Sequence, residues 1–146
     1  MASYEGEYVN GKKEGLGKMK FPNKDMYHGM WKQDMMSGEG TMLYSNGDIY
    51  SGSFVSGILS GKGTYEYLSD KSQLSGDFIN GTIMSGMWKF QDGGHYQGDF
   101  EDGKPYGDGI FTGTNGIIQS GEFCKSQENE ESPVVYTWKG GAIATA

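Results

Sequence analysis

One cysteine, Cys124, occurs in 146 residues, which excludes an intramolecular disulfide and fits a reducing compartment. Apolar residues are scarce at 35%, and no apolar run approaches the length of a membrane span. The opening MASYEGEYVN has no signal-peptide core, so the expectation is a soluble, intracellular chain. Carboxylates outnumber basic residues nineteen to twelve, for a formal charge of -7. Lysines scattered in this way form no segregated patch, which excludes nucleic acid as a partner and argues against an anionic membrane. Long helices are missing too. Over residues 4–123 the longest glycine-free run is the twelve residues from Thr64 to Ser75, and each interior glycine costs a helix about 1 kcal/mol.

What the chain does have is glycine and rings: 26 Gly, ten Tyr, seven Phe and three Trp, so its apolar surface lies in flat aromatics suited to shallow packing and interfaces. They follow a recipe. YEGEYVNG (Tyr4 to Gly11), YSGSFVSG (Tyr50 to Gly57) and YQGDFEDG (Tyr96 to Gly103) share aromatic-x-Gly-x-aromatic followed by a turn glycine. Units start at Tyr4, Tyr27, Tyr50, Leu74, Tyr96 and Gln119, with spacings of 23, 23, 24, 22 and 23 residues, a period that marks a repeat array. Gly-x-Gly pairs follow at Gly15/Gly17, Gly38/Gly40, Gly61/Gly63 and Gly107/Gly109, and the second unit has Asp34 in place of its turn glycine.

Alternation identifies each unit as a β-hairpin. Tyr4, Gly6 and Tyr8 share one face, Glu5 and Glu7 the other, and GKMKF continues with Met19 and Phe21 inward and two lysines outward. Turns fall at the unit junctions, as in Pro22-Asn23-Lys24-Asp25 and Asn46-Gly47-Asp48, where the residues tolerate tight or left-handed backbone. The fold class expected is all-β: an elongated array of antiparallel hairpins forming one twisted sheet with an aromatic groove, over residues 4–123 and about five and a half repeats. At about 4.8 Å per strand it reaches roughly 50 Å. Gly6, Gly29, Gly52, Gly76, Gly98 and Gly121 form a floor on which rings lie flat. Tyr8, Trp31, Phe54, Phe78, Trp88 and Phe100 are expected to line the groove, with Tyr4, Tyr27, Tyr50 and Tyr96 as packing rings. A lone sheet must cover its apolar face with its own rings, a twin chain (a homodimer) or a partner segment.

Residues 124–146 read as an acidic linker, KSQENEES, and an apolar β-prone tail beginning PVVYTW. The tail either shields its own sheet edge or adds to a neighbouring subunit.

The units YEGEYVNGKKEGLGKMKFPNKD and YHGMWKQDMMSGEGTMLYSNGD resemble MORN repeats, a likeness covering about residues 4–123. The resemblance implies a serial hairpin array forming a twisted, grooved sheet. Within it, GKGTYEYLSDKSQLSGDFING, YQGDFEDGKPYGDGIF and IIQSGEF run in an order similar to the radial spoke head 1 family of motile cilia. In that family a glycine-poor unit precedes a Y-x-G-x-F segment with a proline before its Gly-x-Gly, and the array closes on G-E-aromatic. Here these correspond to Leu74 to Phe90, to Tyr96 to Gly109 with Pro105, and to Gly121-Glu122-Phe123. The fourth unit departs by having Ser85-Gly86-Met87 at its Gly-x-Gly, so its hairpin turn is expected to be irregular. The resemblance implies a non-catalytic scaffold of the ciliary or flagellar axoneme with other radial spoke head proteins as partners, a cytoskeletal address, and no cofactor. The alternative is a membrane- or phosphoinositide-associated tether.

Features that mimic catalytic sites have simpler readings. Phosphate loops need a strand before and a helix after, whereas strands flank these Gly-x-Gly pairs; Gly61-Lys62-Gly63-Thr64 has the wrong spacing. His28 falls on the polar face of a strand and His95 in a turn, neither with a Cys or His neighbour at ligand spacing, so no metal or nucleophilic site is expected. Glu5/Glu7 and Asp99/Glu101 read as solubilising charges rather than an acid/base pair. The most basic part, Lys12, Lys13, Lys18, Lys20 and Lys32, is diluted by Glu14 and Asp25.

Overall fold

The computed structural model describes residues 2–145 as one sheet of 12 strands in chain order, each antiparallel to the next. The strands are β1 (Ser3–Val9), β2 (Lys12–Lys20), β3 (Met26–Lys32), β4 (Met35–Leu43), β5 (Ile49–Val55), β6 (Ile58–Glu66), β7 (Gln73–Ile79), β8 (Thr82–Lys89), β9 (His95–Glu101), β10 (Lys104–Thr112), β11 (Ile117–Ser126) and β12 (Val135–Thr145). The all-β hairpin array expected from the repeat is therefore present. His95, expected in a turn, opens β9 opposite Lys89 and Thr112, while His28 sits exposed in β3.

A single line of glycines crosses all 12 strands. Gly6, Gly17, Gly29, Gly40, Gly52, Gly63, Gly76, Gly86, Gly98, Gly109, Gly121 and Gly140 are successive cross-strand partners. The expected floor of six is every second member of this line. It also gives the Gly-x-Gly pairs a division of labour. The second glycine of each pair belongs to the line. The first, such as Gly38 at φ 91°, takes the left-handed backbone of a bulge where the hairpin register shifts.

Within each unit the two strands are joined by two residues at positive φ, the geometry of a type I′ turn that matches strand twist. Asn10-Gly11 turns at 52° and 78°. Asp34 adopts 69° where the other units use glycine, and its carboxylate accepts the Lys13 amide at 2.7 Å. The expectation of an irregular turn in the fourth unit is corrected here: Asn80-Gly81 turns like the rest at 50° and 86°. The irregularity moves into the bulge. Gly86 follows its turn glycine by five residues where Gly63 follows Gly57 by six, and only Met84 is looped out between paired residues.

Junctions between units are fixed by a short side-chain device. Asn23, Asn46, Asp70, Asp92 and Asn115 each accept the amide two residues on, at 3.0, 2.9, 2.9, 2.9 and 3.1 Å. Beyond residue 123 the array continues: β11 runs to Ser126, and the tail returns as β12 along it, from Ser126↔Val135 to Ile117↔Thr145. Of the two arrangements left open for the tail, it is folded on its own sheet. The linker between turns at Asn129, whose Oδ1 accepts the Glu131 and Ser132 amides, each at 3.0 Å.

Candidate functional site

Covering one face of a single sheet requires side chains that can act as their own second layer. Four tyrosines do this by lying down. Tyr4, Tyr27, Tyr50 and Tyr96 each lean over the glycine line, so that a Cβ at Gly17, Gly40, Gly63 or Gly109 would stand within 2.5 Å of a carbon of the ring. The phenols donate to the carbonyl oxygens three residues on: Glu7, Met30, Ser53 and Asp99, at 2.9, 2.9, 3.0 and 3.3 Å. Only glycine leaves space for a ring to cross the backbone at this height. Burial pushes the Tyr27 and Tyr50 phenols up to about 12, with the charge of Glu39 adding to it.

Each lying tyrosine touches the aromatic of its own unit and that of the next, which links the repeats. Tyr8–Tyr4, Tyr4–Trp31, Trp31–Tyr27, Tyr27–Phe54, Phe54–Tyr50 and Tyr50–Phe78 form an edge-to-face zigzag with centroids 5.0, 5.4, 5.3, 5.1, 5.2 and 5.2 Å apart. Such contacts contribute about 0.5–1.5 kcal/mol each beyond area burial. The Trp31 indole also donates to the Gly17 carbonyl at 3.1 Å.

The six rings expected to line an open groove therefore separate into three groups. Trp31, Phe54, Phe78 and Phe100 are buried in the zigzag, with 1% to 5% of their surface exposed. Tyr8, at the β1 edge, is 57% exposed. Trp88 is half-buried beside Phe90, 4.9 Å between centroids, and its buried indole N–H has no hydrogen-bond partner among the described residues. Through the first three units the groove is thus filled by the chain's own rings.

The filling stops at the fourth unit. Leu74 occupies the tyrosine position, so the zigzag breaks between Phe78 and Phe100 and resumes with Tyr96–Phe100 at 5.7 Å and Tyr96–Phe123 at 5.5 Å. At Gly76 and Gly86 the three nearest atoms to an added Cβ are all backbone. Here the ring face opens into a cleft lined by Tyr65, Tyr67, Leu74, Phe78, Ile83 and, at its edge, Asp102. Tyr65 and Tyr67 stand 4.8 Å apart along one wall.

Sequence reasoning missed how that wall is held. Asp48 is only 8% exposed, and its carboxylate accepts the Leu68 amide at 2.9 Å and the Tyr65 hydroxyl at 2.8 Å. Burial alone raises its pKa, but the hydrogen bonds from Leu68, Tyr65 and Asn46 outweigh it and hold the carboxyl below its ordinary value. Tyr65 is pushed up, by burial first and by its bond to that carboxylate second. The residue type at the junction was legible as a turn former; its reach into the next junction was not. Asp25 does the same one unit earlier, accepting the Ser45 amide at 2.8 Å. On the opposite face Thr64 and Ser75 share a hydrogen bond of 3.0 Å and Lys62 pairs with Asp77 at 2.9 Å. Among the described residues no three His, Cys, Asp or Glu side chains gather as metal ligands.

The repeat geometry meets its counterpart among known families. The MORN repeat family matches residues 4–26, 27–49, 50–69 and 96–118, more than half of the chain. The chain belongs to the MORN-repeat family. MORN repeats are a non-enzymatic repeat family, and the gap between matches, residues 70–95, covers the unit that lacks its tyrosine. No curated protein matches the chain. Among solved structures, the MORN array is similar to the TCP domain of SAS-4 from Drosophila melanogaster, solved in complex with a proline-rich motif of Ana2. The TM-score is 0.51 at 14% identity, over 92% of this chain and 95% of that one. That likeness is one of fold.

Proposed function

We propose that this MORN array is a non-catalytic scaffold that docks an extended, proline-containing partner segment in the cleft of its fourth unit. The observation that carries the reading is the break in the ring zigzag at Leu74, which leaves Tyr65, Tyr67 and Phe78 lining a cleft where the other units are self-filled. Tyrosine-lined clefts suit polyproline segments, whose preformed extended backbone loses little entropy on binding. The similar SAS-4 fold, solved with a proline-rich motif, supports the same class of occupant.

The setting we propose is the radial spoke head of the axoneme, with other spoke-head proteins as partners. The order of its later units supports this: a glycine-poor fourth unit, then Tyr96 to Gly109 with Pro105, then Gly121-Glu122-Phe123. Proximity labelling by the tagged chain in ciliated cells, imaged in parallel, tests it. Axonemal signal with enrichment of spoke-head proteins is the expected result. Absence from axonemes with recovery of membrane proteins or lipid kinases overturns it and moves the function to membrane tethering.

A further inference from the structure

Both outer edges of the sheet are strands with one neighbour: β1 is bonded only to β2, and β12 only to β11, among the described residues. We propose that copies of this chain add head to tail, the outer edge of β12 pairing with the outer edge of β1 of a second copy. The internal pattern of the array sets the register. Every junction pairs a strand such as β2 with a strand such as β3, glycine opposite glycine, as in Gly17↔Gly29. Carrying the glycine line from Gly140 onto Gly6 of the next copy continues it without a step.

That register places Trp138 opposite Tyr8 on the ring face and Lys139 opposite Glu7 on the polar face. Trp138 ends the ring cluster of its own copy, 4.7 Å from Phe111 and 5.1 Å from Phe123. Tyr8 touches Tyr4 but lacks the second flanking ring that Trp31 has in Tyr4 and Tyr27, and it is 57% exposed. Lys139 and Glu7 are in no ion pair among the described residues, and Lys139 already faces Glu122 across β11. In the joined edge a lysine lies between two carboxylates of the flanking strands, with aromatic faces below.

Charge also decides against a two-fold pairing of β1 edges. Two β1 edges paired about Gly6 would set Glu5 opposite Glu7 twice, a like-charge arrangement that destabilises antiparallel strands. The favoured pairing joins two different edges, so it does not close on a dimer and permits open growth. One strand per partner buries an area at the low end for specific contacts, so the assembly depends on concentration.

Sedimentation velocity of the full chain across a concentration series tests this. Species growing beyond dimers are expected, with Glu7→Lys and Lys139→Glu each weakening association at least about fivefold. The double variant E7K/K139E, or the two single variants mixed one to one, restores growth, while circular dichroism confirms that each variant is folded. A monomer at every concentration, growth that stops at a dimer, or a double variant no better than the singles overturns the proposal.

Discussion

The phenol ring of Tyr27 crosses directly over Gly40 of the neighbouring strand, where a Cβ would lie 2.5 Å from Cε1 and Cζ. Two residue identities are thereby made interdependent. The ring is flat on the sheet because the glycine is bare, and its hydroxyl is satisfied by the Met30 carbonyl only in that pose. Gly40→Ala should lift the ring and cost about 2–3 kcal/mol, the overpacking range. Tyr27→Phe, which loses the hydrogen bond and keeps the ring, should cost about 1 kcal/mol. Urea denaturation orders the two; an alanine at position 40 as stable as wild type would refute the interlock.

Trp31 and Tyr8 separate structural rings from accessible ones. Trp31 is 5% exposed, flanked by Tyr4 and Tyr27 and bonded to Gly17, so Trp31→Ala should cost about 3–5 kcal/mol. Trp31, expected to line an open groove, is covered there by its neighbouring rings. Tyr8→Ala at the exposed edge should cost about 1 kcal/mol or less. Thermal melts of both decide it, with equal shifts as the contrary result.

Stability should fall on the alkaline side in a defined window. Burial pushes the Tyr27 and Tyr50 phenols up to about 12 in the folded chain, against an ordinary value of 10.0. A raised folded value means that their contribution is complete below pH 10 and is lost as pH climbs toward 12. Unfolding followed by circular dichroism alongside phenolate absorbance should show the two changes together. Phenolate formation by all tyrosines near pH 10 with the fold intact would contradict it.

Asp48 acts at the other end of the pH scale. Its carboxyl is held below the ordinary value of 3.8, so its contribution is present above that pH and is lost as pH falls through the folded value. Asp48→Ala leaves the Leu68 amide and Tyr65 hydroxyl without their acceptor and should cost about 2–3 kcal/mol at neutral pH. The loss should shrink as pH falls through the folded value, where wild type itself gives up the charge. A pH-independent difference would assign the effect to packing alone.

The period of Tyr4, Tyr27 and Tyr50, and the alternation around each, made the hairpin array readable because both are local geometric requirements repeated along the chain. The other turns were readable as well, but the fourth was not: Ser85-Gly86-Met87 suggested an irregular turn, whereas Asn80-Gly81 turns like the rest and the irregularity lies in the bulge. Less legible was the ownership of the groove. Alternation shows that Phe54 and Phe78 face inward, but not that Tyr50 reclines over the next strand to cover both. Leu74 was visible as a substitution, yet its consequence, a gap between two runs of edge-to-face rings, exists only once the units are side by side. Asp48 holding Leu68 across a junction was hidden for the same reason.

The proposal that the fourth-unit cleft is the docking surface is tested most directly by affinity capture from axonemal extract with wild type, Tyr67→Ala and Tyr8→Ala, each matched for folding by thermal melt. Tyr67→Ala should lose the spoke-head proteins that wild type and Tyr8→Ala retain. Retention by Tyr67→Ala with loss by Tyr8→Ala would contradict it and place the partner on the β1 edge.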